Sequence, residues 1–148
     1  MRIEKATTKD IGHLAILFDA YRQFYECDAD LEAAKHYLNQ RLSNSESTIF
    51  IAFNDESHSI GFVQLYESFC SVDLCKRIIL YDLYVDKNYR QHGVGESLMN
   101  KATDFAHQVG AKRLDLETAK DNHTAQRLYE KLGYQRDNEF FTYNLEIE

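Results

Sequence analysis

The segment Arg90-Gln91-His92-Gly93-Val94-Gly95-Glu96-Ser97 follows an apolar run from Leu80 to Val85 and leads into a helical pattern. A loop of this kind gathers several backbone N–H groups and the positive end of a helix dipole around an anion. Gly93 and Gly95 carry no Cβ, so the main chain can close on a phosphate and take positive φ where a turn needs it. Arg90 adds a planar, charged fork for the same anion. The spacing is neither GxGxxG nor a phosphate loop ending in Gly-Lys-Ser/Thr. The plain alternative is an ordinary strand-to-helix turn with a surface arginine.

Other residues could act beside it. Asp82 is an ionisable group inside a run otherwise made of Ile, Leu, Tyr and Val. A carboxylate there can hold a cation or take a proton, or it can simply sit at a strand bulge or be satisfied by backbone N–H groups. Glu117, ending the next strand-like segment, is a second acid of this type. Tyr21-Arg22-Gln23-Phe24-Tyr25-Glu26 sets Tyr21, Phe24 and Tyr25 beside an acid, which suits a substrate wall or plain helix packing. Tyr129 shares an apolar helical face with Ala125, Leu128 and Leu132, so its phenol is either a proton donor or a core group. The six histidines are scattered, and Cys27, Cys70 and Cys75 match no zinc spacing, so no metal is expected.

Composition narrows the setting. A chain of 148 residues with 44% hydrophobic and 13% aromatic side chains can bury a core as a single domain spanning 1–148. No apolar run approaches the ~20 residues of a membrane span, and Met1 to Lys5 lacks the apolar core of a signal peptide. Three cysteines without a pairing pattern read as reduced thiols in a cytoplasm, with a Cys70–Cys75 disulfide as the minor alternative. The net charge of −7 argues against a nucleic-acid surface. Residues 1–75 hold 6 Lys/Arg against 12 Asp/Glu, whereas residues 76–148 hold 11 against 12. The half with the glycine loop is thus the less acidic, as a polyanionic ligand requires; the other half suits a cationic partner.

The elements that position these residues follow from pattern and punctuation. Ile3–Thr7 reads as a strand, and Thr7 or Thr8 caps a helix carrying Ile11, Leu14, Leu17, Phe18 and Tyr21. Asp28 or Asp30 starts a second helix with Leu31, Ala34, Leu38 and Leu42 on one face. Thr48–Phe53 and Ile60–Tyr66 read as a hairpin around polar Asn54–Ser59. Ser68–Lys76 reads as a loop, Arg77–Val85 as a strand, and the stretch from Gly93 to Gly110 as a helix. Lys112–Glu117 is expected as a strand, Asp121 or Asn122 as the cap of a helix ended by Gly133, and Phe140–Ile147 as a last strand. The run of strand, helix, strand implies a right-handed parallel crossover. The whole reads as an α/β (mixed α+β) fold, a twisted mixed sheet of about six to seven strands with helices on both faces.

Arg90-x-x-Gly93-x-Gly95 resembles the acetyl-coenzyme A pyrophosphate loop of the GNAT acetyltransferase superfamily. About thirty residues later, Asn122, Ala125, Leu128-Tyr129-Glu130-Lys131 and Leu132-Gly133-Tyr134 resemble that family's segment in which an Asn opens a helix that ends in Gly-aromatic. The order and spacing of the two motifs fit that family, and the resemblance implies its architecture over nearly the whole chain; His92 occupies a position the pattern leaves free. The resemblance implies an N-acetyltransferase that moves acetyl from acetyl-coenzyme A to a primary amine by direct attack. It implies coenzyme contacts from Leu83, Tyr84, Val85, Arg90, Gln91, His92, Gly93, Val94, Gly95, Glu96, Ser97, Asn122, Ala125 and Tyr129. It gives Tyr129 the role of general acid toward the leaving thiolate. Polyamine and thialysine acetyltransferases are similar at Asp82-Leu83-aromatic-Val85, where the acid helps hold the acceptor. Tyr21, Phe24, Tyr25, Asp82 and Glu117 are therefore the expected substrate side, for a small cationic amine or a lysine-containing substrate. A homodimer is compatible with this reading. A coenzyme-binding regulator without turnover, or an enzyme acting on a protein N-terminus or lysine, is the alternative.

Overall fold

The computed structural model describes residues 1–148 as two compact units, Met1–Glu117 and Thr118–Glu148. The first unit contains strands β1 (Arg2–Lys5), β2 (Thr48–Phe53), β3 (Ser59–Cys70), β4 (Cys75–Val85) and β5 (Arg113–Asp115), and helices α1 (Ile11–Phe24), α2 (Leu31–Ser43) and α3 (Val94–Gln108). The second holds helix α4 (His123–Lys131) and the segment that follows it. No helix is long and apolar enough to cross a membrane.

The helices begin where their caps dictate. Thr7 Oγ1 accepts from the Lys9 N–H at 3.3 Å, and Asp10 Oδ2 accepts from the Thr7 N–H at 2.8 Å, a reciprocal box that launches the turn into α1. Asp30 Oδ1 accepts from the Ala33 N–H at 3.0 Å and starts α2. Asn122 Oδ1 does the same for Ala125 at 3.2 Å in α4.

The sheet runs β1-β2-β3-β4-β5, antiparallel except for β4 and β5, which are parallel and joined by α3. Alternation along β2 separates its two faces. Ile49, Ile51 and Phe53 join Leu14, Ala15, Leu17 and Phe18 of α1 and Ala34 and Leu38 of α2 in one core. Phe50 points the other way and meets Phe105 of α3 with ring centroids 5.8 Å apart. Helices thus cover both faces, as expected. Gly61 of β3 admits α3: a Cβ there would lie 2.9 Å from the Tyr84 carbonyl oxygen and 3.3 Å from a Leu98 methyl.

Four expectations are corrected in detail. The sheet has five strands, not six to seven. Ser68–Lys76 is mostly strand: β3 reaches Cys70, β4 starts at Cys75, and the two free thiols face each other across the hairpin. Polar residues at a hairpin end hide strand character, because there one face and the tip are solvated. Lys112–Glu117 contributes only Arg113–Asp115. Phe140–Ile147 forms no strand. Alternation makes a segment fit for a sheet, but a strand also needs an edge to pair with, and no strand of this chain pairs with 140–147.

Candidate active site

Asp82 sits beside an irregularity that the sheet builds into β4. Gln64 pairs with Asp82, whereas Leu65 pairs with Leu80, so Tyr81 is the extra residue of a bulge. Tyr81 is left 67% exposed while Asp82 is 5% exposed. The bulge thereby turns a carboxylate, and not a phenol, into the interior.

That carboxylate is held by side chains. Gln64 Nε2 donates to Asp82 Oδ2 at 2.7 Å, and Ser47 Oγ donates to Gln64 Oε1 at 2.8 Å, which fixes the orientation of the amide. The Tyr21 hydroxyl is a second donor to Asp82. Burial raises the pKa of Asp82, and the hydrogen bonds from Gln64 and Tyr21 offset part of that shift. Burial, followed by the charge of Asp82 and the hydrogen bond to it, pushes the Tyr21 phenol well above the ordinary tyrosine value. Tyr66, whose hydroxyl lies 2.7 Å from that of Tyr37, is also raised, mainly by burial.

Aromatic rings surround this group. Tyr21 meets Tyr25 at 5.2 Å, Phe62 at 5.8 Å and Tyr84 at 6.0 Å between centroids. Phe24 and Tyr25 keep about half their surface exposed, so the wall has a wet side. Arg90 reaches this same wall. Its guanidinium carbon lies 5.5 Å from the Tyr84 ring centroid and 5.7 Å from that of Phe24, and its Nε donates to the Val85 carbonyl at 2.9 Å. The structure therefore brings together Tyr21, Phe24, Tyr25, Asp82, Tyr84, Val85 and Arg90, which the sequence divides between two roles.

The glycine loop departs from its sequence reading at one residue. Gly93 caps α3 in the left-handed region at φ +79°, and Gln91, a residue with a Cβ, is left-handed too at φ +65°. Gly95 does not take positive φ; it lies inside the first turn of α3. A Cβ at Gly93 would meet nothing within 4 Å, so conformation alone selects glycine there. Val94 is buried, and Gly95, Glu96 and Ser97 are half-buried, while Gln91 and His92 are exposed. Along β4, pairing with β5 covers only Arg77 to Ile79, so no strand pairs with the outer edge of Leu83, Tyr84 and Val85. Glu117 is exposed two residues past the end of β5.

In the second unit, Asn122 caps α4, Ala125 receives that cap, and Gly133 ends the helix at φ +95° with the Tyr134 N–H on the Tyr129 carbonyl at 3.0 Å. The rings of Tyr129 and Tyr134 lie 6.1 Å apart. Burial, with a smaller contribution from Tyr129, pushes the Tyr134 phenol up to about 12. Its hydroxyl has no hydrogen-bond partner.

Sequence reasoning missed Ser47, Gln64, Tyr37 and Tyr66. Gln64 had a signal of the same kind as Asp82, a lone polar residue in the apolar run Ile60–Leu65. A surface cavity of about 360 Å³ beside Lys5, Phe50, Lys101 and Phe105 shares no lining residue with this site. No group of three His, Cys, Asp or Glu side chains is placed to hold a metal ion.

The model of the acetyltransferase (GNAT) family matches residues 14–134. The chain belongs to the GNAT family. It is 43% identical to the uncharacterized N-acetyltransferase YhfO of Bacillus subtilis (strain 168), covering 99% of this chain and 98% of that protein. It is 33% identical to a probable acetyltransferase of Haemophilus influenzae over 84% of this chain and 85% of the relative. A crystal structure of a probable acetyltransferase superposes with a TM-score of 0.94 at 39% identity, covering 100% of this chain and 99% of that one. This GNAT protein is an acyltransferase, and its mixed sheet with helices is the family's fold.

Proposed function

We propose that this enzyme transfers an acetyl group from acetyl-coenzyme A to a primary amine, with a small cationic amine or a lysine-like group as acceptor. The observation that carries the reading is Asp82, a carboxylate inside an aromatic wall whose far side is wet. A carboxylate and aromatic faces together suit an ammonium group better than either alone. The wall is formed by Tyr21, Phe24 and Tyr25, with Glu117 as an outlying acid.

The chain's residues fit the coenzyme as well. Left-handed Gln91 and Gly93, two apart before the start of α3, have the alternation that curls successive N–H groups around one anion. Arg90 supplies the charge, held in place through Val85 and the Tyr84 ring. The edge of Leu83 to Val85, covered by no strand and with the Val85 carbonyl taken by Arg90, suits an extended ligand whose amides pair with its remaining groups as a strand would.

When bound, acetyl-coenzyme A supplies a thioester carbonyl open to attack. Asp82 holds the acceptor's ammonium, and its raised pKa makes it a better proton acceptor than a surface carboxylate. The ammonium would lose one proton to Asp82 or to water before its nitrogen can attack the acyl carbon, and the second nitrogen proton would leave to water as the carbon–nitrogen bond forms and the carbon–sulfur bond breaks. Tyr129 would be the donor that protonates the departing sulfur, regaining its proton from water. Direct attack needs no acetyl-enzyme. Three free thiols support a reducing, cytoplasmic setting.

The test is release of coenzyme A thiol from acetyl-coenzyme A in the presence of polyamines, lysine peptides, aminoglycosides, neutral amino acids and acidic amino acids, assayed separately. Turnover with cationic amines first is the expected result. Preference for an acidic or uncharged acceptor overturns the acceptor assignment, and binding of acetyl-coenzyme A without turnover on any amine makes the chain a coenzyme-binding regulator.

A further inference from the structure

The cavity of about 360 Å³ lies on the α3 face of the sheet, where the rings of Phe50 and Phe105 meet. Its floor is apolar: both rings are buried, and Val109, at the C-cap of α3, joins them in the lining. Its rim is charged. Lys5 is the cross-strand partner of Phe50, so its side chain leaves β1 on the same face as that ring. Lys101, one turn of α3 before Phe105, holds its Nζ 5.5 Å from the centroid of the Phe50 ring. Two ammonium groups from two different elements thus flank one aromatic floor. Neither is taken up in an ion pair within the chain, and nor is Asp104, the one acid of the lining.

We propose that this cavity binds a small apolar monocarboxylate, a carboxylate carried on an aromatic or branched hydrocarbon body. The volume is at the small end of ligand sites, which run from about 300 to 1,000 Å³. The makeup is theirs as well, a mainly apolar lining with a few polar groups to fix orientation. Charge sets the sign of the ligand. Two lysines against one acid leave the rim net positive by one, in a chain whose total is −7. A monoanion is the complement, and a cationic amine is repelled. Lys101 stays charged against the Phe50 ring and keeps its N–H donors for a carboxylate oxygen. The two rings offer faces and edges to the hydrocarbon body. The cavity shares no residue with the wall around Asp82 or with the glycine loop, so the proposal stands whichever amine the enzyme acetylates.

Phenylacetate is the probe, read by NMR through the amides of Phe50, Phe105 and Val109 in the full-length chain. Those amides should shift saturably as it is added. Phenethyl alcohol, a similar body without the charge, should bind about tenfold more weakly or worse, the cost of losing charge-assisted contacts. Phenethylamine should leave the three amides unmoved. Lys5→Gln with Lys101→Gln should weaken phenylacetate by at least the same factor while coenzyme A affinity stays at the wild-type value. Absence of a saturable shift, equal binding of the alcohol, or a double variant that binds phenylacetate as the wild type does overturns the assignment. So does a response confined to residues around Arg90 and Gly93, which would make the carboxylate a ligand of the glycine loop.

Discussion

At Gly61 of β3 a Cβ would lie 2.9 Å from the Tyr84 carbonyl oxygen of β4 and 3.3 Å from a Leu98 methyl of α3, so the strand keeps a glycine under that helix; three residues further along, Gln64 points to the opposite face and binds Asp82. The α3 face is dry. Val94, Leu98, Met99, Ala102, Phe105 and Ala106 are buried on that helix and meet apolar partners such as Phe50. The α1 and α2 face starts as an equally dry core around Leu14, Leu38 and Ile51, then changes at Tyr21 into a network of phenols, an amide and a carboxylate. One face is optimised for burial, and the other retains a buried acid that costs stability. A fold keeps such a group where chemistry needs it.

The sharpest way to break this contrast is to damage the dry face. Met99→Ala removes a side chain that is 1% exposed, and such truncations cost about 2–5 kcal/mol. Urea titration should show that loss, while KM for the amine, measured where the variant is still folded, should stay at the wild-type value. A shifted KM would mean that the two faces are not separable.

Next in size is Arg90→Ala. Loss of a charge-assisted contact is worth about 1.5–3 kcal/mol, or roughly tenfold to a hundredfold in affinity for acetyl-coenzyme A. Titration calorimetry reads it directly, and an unchanged affinity would make the loop a mere turn. Because Arg90 also braces Tyr84 and Phe24, a modest rise in amine KM should accompany the loss.

The dry face was the legible one. Caps at Thr7, Asp30 and Asn122 and the stripe on α3 are local signals, and they placed every helix. The parallel crossover followed from element order. The site was legible only as separate residues. Asp82, Tyr21 and Arg90 each stood out by type, but their meeting depends on the register of β3 against β4, and a bulge at Tyr81 sets that register without any sequence mark. Gln64 and Ser47 escaped for the same reason: a hydrogen-bond partner seventeen or eighteen residues away is not a pattern in a window. The tail shows the converse. Its alternation was plain, but the edge it needs is not one that this chain pairs with it.

Asp82→Asn tests the claim that the wet face trades stability for chemistry. Burial raises the pKa of Asp82 above its unfolded value, so the folded state binds its proton more tightly than the unfolded state. The wild type therefore loses stability as pH rises from the ordinary carboxylate range through the raised folded pKa. Below both values the acid is neutral in either state and the penalty disappears. Asn is neutral throughout and can pair with Gln64 once that amide turns over. Melting temperature of Asp82→Asn should thus match or exceed wild type near neutral pH, and the difference should shrink on acidification. Its amine KM should rise while coenzyme affinity holds. A variant that is less stable than wild type at neutral pH would refute the trade.

The smallest effect belongs to the outer edge of the network, where Tyr37 and Tyr66 share a hydrogen bond of 2.7 Å. Tyr37 lies beneath the Arg41 guanidinium, 4.5 Å from ring centroid to carbon, and is itself a third exposed. Tyr37→Phe keeps the ring and its contact with Phe18 but leaves the Tyr66 hydroxyl to find water. An ordinary hydrogen bond contributes about 1 kcal/mol, and water near an exposed ring recovers part of it. In a chain of this length that is a fall in melting temperature of about 2–4 °C at most. The pairing also predicts a sign of coupling. Removing both hydroxyls leaves no polar group stranded, so Tyr37→Phe with Tyr66→Phe should cost less than the two single changes added together. Strict additivity in that double-mutant cycle would show two phenols that happen to be near each other, and the polar network of the wet face would then end at Gln64 and Tyr21.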